Sequence, residues 1–345
     1  MSDLRWGVLS TARIAVDKVI PGMKEAERCE VVAIASRDAD RARAVADKLA
    51  IPKAHGSYEA LLSDRNVDAV YIPLPNHLHA EWTIAAARAG KHVLCEKPLA
   101  LSAADAQHMV DVCATEGVRL MEAFMYRLHP SWVAVRKLVA SGRIGPLCTV
   151  QSWFSFYNDD PENIRNIREY GGGALLDIGC YSVNVSRMLF DGEPARVAAS
   201  VTRDPATGVD VLTTAILEFE DGVATFTCST RVEPDQRVHV YGTEGRISIG
   251  IPFNIPPDRP TEVFVTAGGD PPVDPHTEVM TFEPAEQYAI EAERFARAVL
   301  DGEPTPIPPD DAVANMRVIE RVFRAGEPGR ARSPLHRYGR AEPSK

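Results

Sequence analysis

The sequence predicts an α/β protein in two parts: a doubly wound parallel sheet over residues 1–123, then an α+β domain with an open, mostly antiparallel sheet over residues 124–345. Three observations predict it. Short apolar runs alternate with Ala-rich amphipathic stretches as far as Ala123, strand-like runs with turn signals follow, and 345 residues exceed the usual size of one core.

Taken in order, Trp6-Gly7-Val8-Leu9, Val31 to Ala35, Ala69 to Ile72, His92 to Cys95 and Arg119 to Met121 read as buried parallel strands. Between them, Ala39 to Leu49, His79 to Ala89 and Ala103 to Glu116 are long enough for crossover helices. Beyond Ala123 a helix is predicted over Trp132 to Ser141, then strands over Leu147 to Tyr157, Ala195 to Val201, Val211 to Phe219 and Val223 to Thr230, the last two joined by the hairpin signal Glu220-Asp221-Gly222. Trp153, Phe154, Phe156 and Tyr157 alternate faces, so about half of them should enter the core. Further strands fit Arg237 to Tyr241, Arg246 to Ile249, Thr261 to Val265 and Glu278 to Phe282. The Pro-rich loop Pro304 to Pro309 precedes a final helix, Asp310 to Arg324, and the tail from Gly326 reads as loop. An open sheet leaves one broad face to cover, so a homodimer or homotetramer through the C-terminal sheet is expected.

Composition excludes several classes. The net charge of -10, from 38 basic and 48 acidic residues, lacks the basic excess that a nucleic-acid backbone demands. No apolar stretch approaches membrane-spanning length and none resembles a signal segment, so the expected location is the cytoplasm. Six scattered cysteines without a C-x-x-C pair suit reduced thiols. No metal site is expected from His77 and His79, which stand two apart with no cysteine nearby in sequence.

Gly7-Val8-Leu9-Ser10-Thr11-Ala12-Arg13 occupies the strand-turn-helix position of a dinucleotide fingerprint, with only Gly7 of the glycines kept. Ser10 still permits close backbone approach, Ala12 permits helix packing, and Thr11 and Arg13 flank a helix N-terminus that attracts pyrophosphate. A purely structural turn is the other reading. At the end of the second strand, Ser36 and Arg37 replace the acidic residue that binds a ribose 2′-hydroxyl, which favours NADP. NAD stays possible, with Asp38 as a ribose ligand one position late. Glu96-Lys97-Pro98 follows a strand at the carboxyl edge of the sheet, where ligands of this architecture bind. The Lys97 ammonium there can stabilise an alkoxide as hydride leaves carbon, and an oxidised nicotinamide should lower its pKa. The following proline allows a cis bond.

Gly171-Gly172-Gly173 opens an apolar helix interrupted by Asp177, Tyr181 and Asn184 at i, i+4 and i+7, a shared hydrogen-bonding face suited to a polyol. Arg127, after the strand ending near Met121, is a possible substrate contact. Arg165 either lines the mouth of the pocket or balances Asp159, Asp160 and Glu162.

The glycine-poor turn, Glu96-Lys97-Pro98 and Gly171-Gly172-Gly173-x-x-x-Asp177-x-Gly179-x-Tyr181 together resemble the Gfo/Idh/MocA oxidoreductase family, over nearly the whole chain. Within it they resemble the branch of dimeric dihydrodiol dehydrogenases, D-xylose dehydrogenases and glucose-fructose oxidoreductase. The resemblance implies a Rossmann domain, a C-terminal open sheet, and Lys97 with Tyr181 as catalytic pair, Lys97 lowering the tyrosine pKa or orienting substrate. It implies that Asp177 binds substrate hydroxyls or orients the pair, and that Pro73, Asn76 and His77 line the nicotinamide ribose. Asn184 departs from the aspartate or histidine common there. The expected activity is NADP-linked hydride transfer at a CH–OH or C=O carbon of a sugar, polyol or cyclic diol. A dinucleotide-binding regulator without turnover is the alternative.

Overall fold

The structure is a computed structural model and describes residues 3–270 and 274–327; the tail expected beyond Gly326 lies almost wholly outside them. Six parallel strands form the first sheet: β1 (Leu4–Leu9), β2 (Cys29–Ala35), β3 (Lys53–His55), β4 (Ala69–Ile72), β5 (His92–Glu96) and β6 (Leu120–Ala123), in the order β3-β2-β1-β4-β5-β6. Its central strands are apolar on both faces because helices cover both. These are α1 (Ile20–Glu25), α2 (Ala39–Lys48), α3 (Tyr58–Leu62), α4 (His79–Arg88) and α5 (Ala103–Thr115). Local chemistry starts several of them: Asp38, Ser57 and Ser102 cap α2, α3 and α5 by accepting first-turn amide hydrogens. The short strand β3, with helices α1 and α3, was not among the expected elements; three half-buried residues give β3 no apolar run to read.

A helix α6 (Pro130–Ala140) leads into the second sheet. Its strands are β7 (Leu147–Tyr157), β8 (Arg196–Arg203), β9 (Asp210–Glu218), β10 (Val223–Ser229), β11 (Arg231–Gly242), β12 (Gly245–Ile249), β13 (Thr261–Asp270) and β14 (Asp274–Phe282), in the order β14-β13-β12-β11-β7-β10-β9-β8. Every neighbouring pair is antiparallel except β7 with β10. One cross-strand row, Ala199–Ala215–Phe226–Ser152–Val238–Ile249–Val263–Met280, faces inward against α7 (Cys180–Phe190), where the Ser152 and Ser182 hydroxyls meet at 2.8 Å. The adjacent row, Ala198–Ile216–Thr225–Gln151–His239–Ser248–Phe264–Val279, faces outward and none of it is buried. Of the aromatics on β7, Phe154 is buried and Tyr157 exposed.

Two C-terminal helices, α8 (Gln287–Leu300) and α9 (Pro309–Ala325), return to the first sheet, and α9 packs also against α7 and β8 of the second. The Phe295 ring of α8 packs on Trp6 of β1 with centroids 5.4 Å apart, and Glu320 of α9 accepts the Ala103 amide at 2.8 Å. Helix α8 was not expected. The carboxyl edge of the first sheet is thereby framed by later segments of the chain, and the site described next lies there. Among the described residues, no helix is long and apolar enough to cross a membrane, and no group of three metal-ligating side chains converges.

Candidate active site

At the first turn, Ser10 takes a φ of 145°, a conformation that side chains rarely adopt, and its hydroxyl accepts the Ala12 amide at 3.0 Å. Thr11 is buried and Arg13 exposed. Gly7 lies inside β1, where a Cβ would stand 2.6 Å from Leu61, so its missing side chain serves packing against α3. At the end of β2, the Ser36 hydroxyl accepts the Asp38 amide at 3.2 Å. Asp38 in turn accepts the amides of Asp40 and Arg41 at 3.0 and 3.1 Å, so its Oδ1 is committed to capping α2. The phenol of Tyr58 stands beside Arg37, Arg41 and Ser10; burial nevertheless holds its pKa above the usual tyrosine value. Arg41 and Tyr58 were missed by sequence reasoning. Arg41 follows Arg37 by one helical turn, a signal that was legible; Tyr58 follows the unrecognised β3 and was not.

At the end of β5, the half-buried Glu96 carboxylate accepts the Tyr71 hydroxyl at 2.6 Å and the Lys97 amide at 3.3 Å. The Lys97-Pro98 bond is cis. Lys97 Nζ donates to the backbone oxygen of Asp177 at 2.6 Å and to its Oδ1 at 3.3 Å. Burial is the largest single influence and would lower the lysine pKa, but Asp177, Cys180 and Glu96 together outweigh it and the net direction is up. The lowering expected beside an oxidised nicotinamide would have to overcome this counter-charge. Arg165 Nε donates to Asp177 Oδ2 at 2.6 Å, and its guanidinium lies over the Phe156 ring. Burial would raise the Asp177 pKa, yet Arg165 and Lys97 bring it below the usual value.

A wide turn with i→i+5 hydrogen bonding spans Leu175–Gly179 before α7 begins. It breaks the 3.6-residue spacing, so Asp177, Tyr181 and Asn184 do not share one face as expected. Asp177 meets Lys97 and Arg165. Tyr181 is 5% exposed and enclosed by the rings of Phe124, Tyr126, Phe154 and Phe253 at 5.1–5.8 Å, with Lys97 Nζ 5.2 Å from its centroid. Burial pushes its pKa well above the tyrosine value, with Glu96 and Tyr288 adding to the effect. Asn184 is fully buried and turned away: it accepts the Tyr126 hydroxyl at 2.6 Å and donates to Asp311 at 3.2 Å. Arg127 likewise pairs with Asp311. Both were expected at the substrate; the structure gives both to internal partners.

The glycines close the site from the other side. Gly171 and Gly173 take φ of 75° and 118°, and the Gly171 carbonyl accepts from Asn76 Nδ2 at 2.9 Å. His77 stacks on Tyr170 at 4.4 Å, and Pro73 is buried at the end of β4. His79 faces the carbonyls of Pro98 and Leu74 at 2.9 and 2.8 Å, which joins the two loops and accounts for it without a metal.

Residues 4–124 match the profile of an oxidoreductase family with an NAD-binding Rossmann fold, and residues 132–248 match the GFO/IDH/MocA C-terminal domain. A D-xylose 1-dehydrogenase (NADP(+)) from Haloferax volcanii is 43% identical over 95% of this chain and 99% of its own. Mouse trans-1,2-dihydrobenzene-1,2-diol dehydrogenase is 38% identical over 71% and 74%. Among solved structures, the 3-ketoreductase KijD10 from Actinomadura kijaniata, in complex with TDP-benzene and NADP, superposes with a TM-score of 0.84 at 30% identity, covering 94% of this chain and 98% of that one. With both halves matched in order and near-complete coverage, the chain belongs to the Gfo/Idh/MocA family of oxidoreductases.

Proposed function

We propose that this chain is an NADP-dependent oxidoreductase acting at a CH–OH or C=O carbon of a sugar, polyol or cyclic diol. The observation that carries the reading is the convergence of Lys97, Arg165, and Asp177 with Tyr181, from three separate segments, at the carboxyl edge of the first sheet.

The residues present fit the cofactor. Ser10, Thr11, Ala12 and Arg13 offer backbone and side-chain donors at the first turn, and Ser36, Arg37, Arg41 and Tyr58 gather at the end of β2, with the one nearby carboxylate, Asp38, capping α2 through Oδ1. That cluster suits a 2′-phosphate and favours NADP over NAD, as do the relatives whose names carry NADP. Pro73, Asn76, His77 and Glu96 would flank the nicotinamide end. When bound, the cofactor supplies the hydride or receives it.

The chain's own residues handle the proton. Tyr181 holds its proton firmly, because burial disfavours the phenolate. It is the donor to a developing alkoxide oxygen in reduction; in oxidation the phenolate is the acceptor, so the phenol must first release its proton to solvent, with the Lys97 ammonium beside the ring to stabilise the anion. Lys97 keeps its ammonium; two of its three N–H bonds go to Asp177 and the third is left for the substrate oxygen. Asp177 stays ionised and holds Lys97 in place. Arg165, 40% exposed at the side chain, stands where further hydroxyls of a polyol can be received.

We place the enzyme in the cytoplasm, as six free cysteines support, and pair it as a homodimer or homotetramer through the outward row of the second sheet, where Ile216, Phe264 and Val279 are exposed. Absorbance at the NADPH band, with both cofactors and a panel of aldoses, inositols and cyclic diols, tests the reading. NADP-linked turnover with one class supports it; tight NADPH binding with no turnover on any of them turns the assignment towards a regulatory protein.

A further inference from the structure

Asp311, in the first turn of α9, lies 130 residues beyond Tyr181 in sequence, yet it anchors the wall around that residue. Its Oδ1 accepts from Arg187 at 3.1 Å; its Oδ2 accepts from Asn184 Nδ2 at 3.2 Å and from Arg127. Arg187 also pairs with Glu193. The three donors come from α7 and from the turn after β6, so one carboxylate ties the last helix to both.

Direction matters in this chain of bonds. A carboxylate held between two guanidiniums can only accept, and the two arginines keep Asp311 ionised despite its burial. Asn184 must therefore turn its NH₂ to Asp311, which leaves its carbonyl oxygen for Tyr126. That oxygen accepts the Tyr126 hydroxyl at 2.6 Å, so the hydroxyl is fixed as a donor. The Tyr126 ring then stands 5.8 Å from Tyr181 and 5.2 Å from Phe253, and Phe253 is itself 5.1 Å from Tyr181. Tyr181 needs that wall, for its own hydroxyl has Met125 Sδ at 3.8 Å as its sole protein partner among the described residues.

We propose that Asp311 is a positioning residue for Tyr181, acting through Asn184 and the hydroxyl of Tyr126. The proposal rests on the catalytic reading of Tyr181 given above. It predicts that the reacting phenol is aimed by a polar relay that touches neither substrate nor cofactor, in a site that otherwise surrounds it with apolar rings.

The test is a double-mutant cycle with Tyr126→Phe and Asp311→Asn, read as kcat and KM with the best substrate, NADPH affinity by fluorescence, and the alkaline limb of the kcat profile. Tyr126→Phe deletes one oxygen and keeps the ring, so the fold survives even if Asp311→Asn does not. Each single variant should lower kcat about tenfold with NADPH affinity unchanged, and the double variant should be no worse than either, because both cut one relay. The alkaline limb should move in both singles alike. Wild-type kcat in Tyr126→Phe, or losses that multiply in the double variant, overturns the proposal. Should Asp311→Asn not fold, Tyr126→Phe alone decides through kcat and the alkaline limb. A wild-type protein that turns over nothing fails the catalytic reading instead, and is distinguished because no variant then needs to be made.

Discussion

Two aspartates, each set between two cations, stand on either side of Tyr181 and do different things. Asp177 is bracketed by Lys97 and Arg165; Asp311 is bracketed by Arg127 and Arg187. The second cluster is closed: the Arg187 side chain is 6% exposed, and both oxygens of Asp311 are taken by three donors. The first is open at one end, with Arg165 40% exposed and one N–H of Lys97 uncommitted. The charge pattern is alike in the two, and the exposure of one arginine with the uncommitted N–H of Lys97 separates them. Where donors are left over at a cleft, the cluster can receive a ligand; where every donor is matched, it is a strut.

The comparison breaks most sharply through catalysis. Lys97→Ala and Tyr181→Phe should each lower turnover by roughly 10²–10⁴-fold while NADPH still binds, since each removes a proton-handling group. Steady-state kinetics beside NADPH fluorescence measures this, and unchanged turnover in either variant removes that residue from the mechanism. Stability should show the converse. Asp311→Ala leaves the buried guanidinium of Arg127 uncompensated and Arg187 with Glu193 alone, and should cost about 3–5 kcal/mol in urea denaturation. Asp177→Ala leaves one cation free to swing into solvent, so its loss should be clearly smaller. Equal losses would erase the distinction between strut and site.

The open cluster was legible in sequence and the closed one was not, for physical reasons. Lys97 follows a strand at a sheet edge, and Asp177 and Tyr181 interrupt an apolar helix after three glycines; these are local signals. Arg127 and Asn184 carry the same kind of signal, polar groups near the site, and so were read as substrate contacts. Their true partner, Asp311, begins a helix whose place beside α7 depends on the return of α8 and α9 to the first sheet, which no local pattern announces. The residues that do converge are arranged differently from the expected face, because the wide turn at Leu175–Gly179 shifts Asp177 off the face predicted from a regular helix. Strands with alternating or wholly apolar patterns were found, while β3, with three half-buried residues, was not.

A third cationic cluster sharpens the rule. Arg37 and Arg41 near Tyr58 have no carboxylate between them, Asp38 being turned to cap α2. By the same argument they should be still more receptive than Lys97 and Arg165. Arg37→Ala should raise KM for NADP about 10–100-fold, the loss of one charge-assisted contact, and change KM for NAD little. Similar effects on both cofactors would show that Arg37 does not read the 2′-phosphate.

A pH titration tests how tightly the closed cluster is sealed. Glu122 on β6 is 1% exposed; its Oε1 accepts the Leu99 amide at 2.7 Å and its Oε2 has no partner. Burial drives its pKa from 4.5 to about 8, with Asp311 raising it further and the Leu99 amide, Arg127 and Arg187 opposing. The unfolded chain releases this proton near 4.5 and the folded chain retains it to about 8. Between those values the folded state binds more protons, so stability falls as pH rises, by up to roughly 1.4 kcal/mol per unit from this group. Glu122→Gln should remove that slope and leave the protein more stable than wild type at pH 8, as read from urea midpoints across the range. Asp311→Asn should flatten the slope in part, because Arg127 and Arg187 then act on Glu122 unopposed. A slope unchanged in both variants would mean that Glu122 is ionised in the fold, and that the seal around the Asp311 cluster admits water.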